Sequence, residues 1–435
     1  MSAMSASTCA ISSLPYELLV AVAVASQEDC VVDSNWETES TTFKAEWTLS
    51  HVSRRFRDVV VGAPALWTLI EMDFTGEGSV EILNLYLERS RTSKISLILR
   101  EPESCMTVDG LLRERVTEII VPQVNRIQRL KIVLRAKDWD LDQEMLGPFR
   151  DVAAPHLEHL EIVYRGGEFA VGVPVAMFWS GAPRLTFLKI DRSTLQLPPQ
   201  PLWMASITHL ELLGGYDPDI YPAAVTAQCP SLTHLHLDVT YVPTDANRFH
   251  IPTLKFLYIS IQDNERADYV SYIVALFDVP ALAELILNGS HGDQVAFLLC
   301  LKSLPQSSFP VLTSISFICR GSCLCETQPV LPYHPLSSPP VLFPALSHLI
   351  LINQCHAYAL IKDILGPVSH PWPLLKTITL GAVDDSFEEV GAAVEDAVDS
   401  KCQHGEPVPE VRLFRVLSSL EDWDENSPVD VERSW

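Results

Sequence analysis

Four residues of one short stretch could hold a metal. In "CRGSCLC", Cys319, Cys323 and Cys325 stand ahead of His334, and thiolates with imidazole are zinc ligands. A tetrahedral site usually draws on paired cysteines two to four residues apart. This set is a single run of three with no separate second pair, and it goes from a strand end into a loop, so no metal is expected. Nor does the chain carry a G-x-S-x-G elbow, a P-loop, a G-x-G-x-x-G turn or an H-E-x-x-H helix. The expectation is a protein without catalytic residues and without a cofactor. The thirteen histidines say more, because several of them recur at equivalent places in a repeated phrase.

That phrase is often a proline followed by apolar residues at positions 1, 4 and 6. It reads "APHLEHLEI", "APRLTFLKI", "CPSLTHLHL", "IPTLKFLYI", "FPALSHLIL" and "VPEVRLFRV" among others. The first anchors are Ile127, Leu157, Leu185, Ile207, Leu232, Leu254, Leu282, Leu312, Leu346, Leu375 and Val411, eleven copies in all. Anchors 4 and 6 alternate with polar residues, the pattern of a short strand with one buried face. Helix-like segments lie between copies, such as "ERADYVSYIVALF", with Val270, Ile273, Val274 and Phe277 on one face, "DQVAFLLCLKSL" and "HAYALIKDIL".

One strand and one helix cannot bury their own apolar face, so neighbouring copies must stack. The pattern resembles a leucine-rich repeat, without the asparagine usual after its strand. It implies an α/β fold, an irregular solenoid with a parallel sheet on its concave face, over residues 71–420. The residues between anchors would line that face. Phe187, His209, His234, His236, Phe256 and Tyr258 form its aromatic middle. They are the candidate target-binding patch, since aromatic side chains are enriched at interface cores.

The charge narrows the classes of partner. A net charge of −24 argues against nucleic acid or an anionic membrane, both of which call for a basic field. "LLVAVAVASQ" imitates a signal peptide but has no basic residue before it, the first being Lys44. No apolar run is long enough to cross a bilayer. Ten scattered cysteines suit reduced thiols, which points to an intracellular protein, cytoplasmic or nuclear. Residues 1–12 and the acidic stretch 421–435 read as disordered, and the proline-rich stretch 325–344 as a surface loop.

The N-terminal segment breaks the rhythm. "AEWTLSHVSRRFRDVVV" places Leu49, Val52, Phe56, Val59 and Val60 on one face of a helix, which Gly62 and Pro64 end. Upstream, "SSLPYELLVAVAVA" has Pro15 and Glu17 where a helix begins.

"LPYELL" and "LSHVSRRFRDVVVGAPALW" together resemble an F-box of the kind found in large fungal families, over residues 13–70. The spacer "SQEDCVVDSNWETESTTFK" is longer and more polar than is usual there. The resemblance implies a substrate receptor: the box docks on Skp1, and through it on a cullin-RING ubiquitin ligase, while the repeats present a target protein. By the family's pattern, Leu14, Pro15, Leu18, Leu19, Val52, Phe56, Val59 and Trp67 would be the docking or box-core residues. The alternative is a repeat scaffold for protein–protein interaction with no ubiquitin role, its N-terminal helices serving only as a cap.

Overall fold

The structure is a computed structural model that describes residues 14–32, 45–73, 77–101, 110–134, 145–164, 173–175, 177–191, 193–195, 202–213, 228–239, 249–261, 277–289, 309–319, 343–352, 372, 374–403, 408–416 and 431–434. The chain is α/β and divides into two compact units. One comprises Met1–Ala170, Val175–Leu185 and Gln196–Trp203; the other comprises Val171–Pro174, Thr186–Leu195 and Met204–Trp435.

The first unit begins with helices α1 (Tyr16–Val32), α2 (Ala45–Val52) and α3 (Arg54–Gly62), then a 3₁₀ turn at Pro64–Trp67. Strands and helices follow in alternation: β1 (Leu69–Asp73), α4 (Glu77–Arg89), β2 (Ile95–Arg100), α5 (Gly110–Ile120), β3 (Ile127–Leu134) and β4 (His159–Tyr164). The four strands pair in chain order, all parallel. Arg126 ties α4 down. Its guanidinium donates to Leu87 O at 3.0 Å and to Ser90 Oγ at 2.9 Å; Leu87 O is among the last carbonyls of that helix, which have no partner within it.

The second unit holds β5 (Phe187–Asp191), β6 (His209–Leu213), β7 (His234–Val239), β8 (Phe256–Ile261), β9 (Glu284–Gly289), β10 (Ser314–Cys319), β11 (His348–Ile352), β12 (Thr377–Val383) and β13 (Glu410–Val416). These nine strands are also parallel, in linear, open chain order. Helix α6 (Asp384–Gln403) lies between β12 and β13. The helix-like segments expected at 265–276, 293–304 and 356–365 lie outside the described residues. Phe277, expected on the first of them, instead joins Asp278 in a two-residue strand beside Phe249–His250.

One local device starts most copies. The N–H of the first anchor bonds to the carbonyl three residues earlier: Leu157 to Ala154, Leu185 to Ala182, Leu232 to Cys229, Leu254 to Ile251, Leu312 to Phe309 and Leu346 to Phe343. The proline of the phrase is the second residue of that turn, where its fixed φ fits. The residue before it is buried along with the anchors, a fourth core position that the 1-4-6 pattern omits. Each fully buried aliphatic side chain contributes about 1.5–3 kcal/mol, and the repetition makes these rows the core of each unit.

Three further expectations change. The helix read through residues 45–61 is two helices, because Ser53 leaves helical geometry and its hydroxyl caps α3 by accepting from Phe56 N at 3.2 Å. The last copy is read three residues out of phase. Val411 pairs with Ile378 and Leu413 with Leu380, so Val411 is its fourth-position anchor and not its first. Finally, Val431–Ser434, inside the stretch read as a disordered tail, forms a strand β14 antiparallel to β13.

Candidate functional site

The residues marked for docking divide by burial. Leu19, Phe56 and Val59 form one buried cluster, with Leu14, Val20 and Leu49 packed against it. Trp67 is also buried, and its indole N–H donates to Val60 O at 2.8 Å. These four buried side chains hold the helices together and have no surface to offer a partner. Pro15 is exposed, Leu18 is 50% exposed and Val52 59%. The break at Ser53 explains Val52. On one continuous helix it would share the buried face of Phe56, but it ends α2 and points outward. Tyr16 and Val22 are also exposed apolar residues of α1. Arg54, Arg55 and Arg57 are exposed on α3, and Arg55 bonds to Leu14 O.

A polar network joins these helices to the first strand–helix unit. Gln27 donates to Glu46 Oε2 at 2.7 Å and to Leu66 O at 3.0 Å. The Tyr86 hydroxyl, on α4, donates to Glu46 Oε1 and accepts from Trp47 Nε1 at 2.8 Å. Burial, and then the hydrogen bond with Glu46, drive the Tyr86 phenol well above its ordinary value. Trp67 packs edge-on against Tyr86 at 5.0 Å, with Arg89 over the Trp67 ring at 4.2 Å. Residue type alone gave no sign of Glu46 or Tyr86. A carboxylate and a phenol 40 residues apart become partners only through packing.

The second candidate region is the strand face opposite the anchors. In the second unit, register places Phe187, His209, His234, Phe256, Glu284, Ser314, His348, Thr377 and Glu410 in one row. Two residues along lies the row Lys189, Glu211, His236, Tyr258, Ile286, Ser316, Ile350, Thr379 and Arg412. All six residues of the expected patch fall on these rows, and all are half-buried.

They touch one another. Phe187 stacks with His209 at 6.3 Å, His209 with His234 at 4.1 Å and nearly parallel, and His234 meets Phe256 at 5.6 Å. His236 meets Tyr258 at 4.1 Å. Thr208 Oγ1 and Thr233 Oγ1 each lie 2.9 Å from the Nδ1 of the histidine that follows, which orients the rings. Desolvation lowers the basicity of both His209 and His234. Glu211 opposes the shift at His209; His209 and Lys255 add to it at His234. Beyond Tyr258 the face turns apolar and buried: Ile286, Ile318, Ile352 and Phe414 form a cluster with Phe256, Tyr258 and Ile350 against it. The expectation of an exposed face therefore fails for those positions.

The face of the first unit is different again. Lys131 and Glu161 are buried and paired at 3.0 Å, and His159 Nε2 lies 2.5 Å from the same carboxylate. Burial alone would raise the Glu161 carboxyl, but the hydrogen bond from His159 and the Lys131 charge reverse that, down to about 2.

Of the candidate metal group, Cys319 is buried at the end of β10; Cys323, Cys325 and His334 lie outside the described residues. Among the described residues there is no cluster of three metal-capable side chains and no helix long and apolar enough to cross a membrane. No protein-family model matches the chain, and neither does any curated protein sequence.

Proposed function

We propose that this chain is a non-enzymatic F-box adaptor. It docks on Skp1, and so on a cullin-RING ubiquitin ligase, through its N-terminal helices. It captures a target protein on the concave face of an irregular leucine-rich-repeat solenoid, at Phe187, His209, His234, His236, Phe256 and Tyr258. The observation that carries the docking half is the sorting of the box residues. Leu19, Phe56 and Val59 pack inward while Leu18 and Val52 stay in solvent. Exposed apolar side chains on a small helical unit favour a partner.

The test is capture of Skp1 by the whole chain, for wild type and for Leu18→Asp/Val52→Asp. Burying an aliphatic side chain is worth about 1.5–3 kcal/mol, so losing two weakens capture roughly a hundredfold or more. Both positions are exposed, so the melting temperature should hold. Undiminished capture by the double variant would overturn the reading.

A second reading has its own support. The Gln27–Glu46–Tyr86–Trp47 network ties α1 and α2 to α4, as a cap on the repeats would require. Under it, the wild-type chain captures no Skp1, and Tyr86→Phe lowers stability without changing any association.

A further inference from the structure

The ladder of rings ends on a carboxylate. Counting along the row, Phe187, His209, His234 and Phe256 are successive rungs, and the next rung is Glu284. The Glu284 side chain is half-buried, and its carboxylate makes no hydrogen bond or ion pair among the described residues. Desolvation raises its carboxyl above the ordinary value, and the His348 charge opposes that shift. A half-buried, unpaired carboxylate is costly and is relieved by a cation.

The neighbouring cations are otherwise placed. Lys189 is paired with Glu211 at 3.2 Å, and Lys255 precedes Phe256 on an exposed position. His209 and His234 leave Nε2 without a partner among the described residues. The threonine hydroxyl beside each Nδ1 can donate or accept, so a hydroxyl rotation lets Nε2 accept from a donor ligand.

We propose that this end of the ladder, His234, Phe256 and Glu284, holds an arginine side chain of the target protein. A guanidinium is planar, stacks on aromatic faces and presents a fork that matches a carboxylate. It would lie over the Glu284 rung, one face against the Phe256 ring and its fork on the carboxylate. An ammonium offers a point charge and no plane, so lysine fits worse. The chain's charge of −24 draws basic segments towards it. This deepens the target-binding half of the proposed function and rests on that half alone.

The experiment measures binding of two fluorescein-labelled nonapeptides, alternating Arg-Gly and alternating Lys-Gly, to the whole chain by anisotropy at physiological salt. The arginine peptide should bind about tenfold or more tightly than the lysine peptide. Glu284→Gln and Phe256→Leu should each cost it about tenfold, whereas Glu410→Gln, farther along the same row, should change nothing. Equal binding of the two peptides, no binding of either, or an unchanged affinity for Glu284→Gln overturns the proposal. Skp1 capture by the same preparations is read separately. Its absence from wild type would sink the docking reading and leave the arginine result standing.

Discussion

The same place in the repeat carries His159 in one unit and His209 and His234 in the other, with different outcomes. His159 is committed to Glu161, which is already paired with Lys131, and both of the latter are buried. That group sets its two buried charges against each other, with the half-buried His159 ring held on the carboxylate. His209 and His234 contact rings and a threonine hydroxyl, and remain half-exposed. Equivalent register therefore does not confer an equivalent role. What decides is whether the neighbours on adjacent strands complete a residue's hydrogen bonds and charge.

The largest effect that would sharpen this contrast is at Glu161. Glu161→Gln leaves the Lys131 ammonium buried without its counter-charge, and should cost about 3–5 kcal/mol in urea unfolding. The carboxyl is held at about 2 when folded, below its ordinary value near ~4.3. Its contribution is thus present above that ordinary value and lost as pH falls through the folded one. A stability curve flat from pH 5 to pH 2.5, with Glu161→Gln superposed on wild type, would break the comparison.

Next comes the contrast across one strand. Leu235 is a buried anchor and His236 its half-buried neighbour on the other face. Leu235→Ala should cost about 2–5 kcal/mol and His236→Ala no more than about 1. Equal melting shifts would remove the assigned strand faces.

The smallest effect concerns the stacked pair. Burial lowers the folded pKa of His209 and His234 below the ~6.5 of an unfolded histidine. Their contribution is present above ~6.5 and lost as pH falls through the lower folded values. Glu211 moderates the effect at His209, while Lys255 strengthens it at His234. Wild type should therefore lose more melting temperature between pH 7.5 and pH 5.5 than the His209→Phe/His234→Phe variant. Identical losses would show that the stack does not titrate with folding.

Much of the strand phase was legible because burial alternates with a period of two in copies such as β5, β6 and the start of β8, where leucine or isoleucine stands on the anchor side and mostly polar or aromatic residues on the other. Leu157, Leu160 and Ile162 are all buried as that rule expects. It failed at Val411, where "VPEVRLFRV" imitates the phrase without the turn, and only pairing with Ile378 reveals the phase. It also missed β2, whose segment lacks the introductory proline, and β1, where the turn is present, Leu66 N–H bonding to Ala63 O with Pro64 between, but the buried strand residues Ile70 and Met72 come one place later than in the repeated phrase. Among the box residues, apolar type identified the group but not its division. The cap at Ser53 turns Val52 out and leaves Phe56 in, which a single 3.6-residue period does not encode.

The sequence by itself determined the repeat, its anchors and the row on which the aromatic residues fall, because local spacing decides which side of a strand each residue takes. Tertiary structure alone decided which members of that row remain available. Lys131 and Glu161 cancel across adjacent strands, Ile286 and Phe414 join a buried cluster, and the Glu284 carboxylate is left without a partner among the described residues. Availability depends on what lies within a few ångströms, and those neighbours are far along the chain, Lys131 from Glu161 and Ile352 from Phe414.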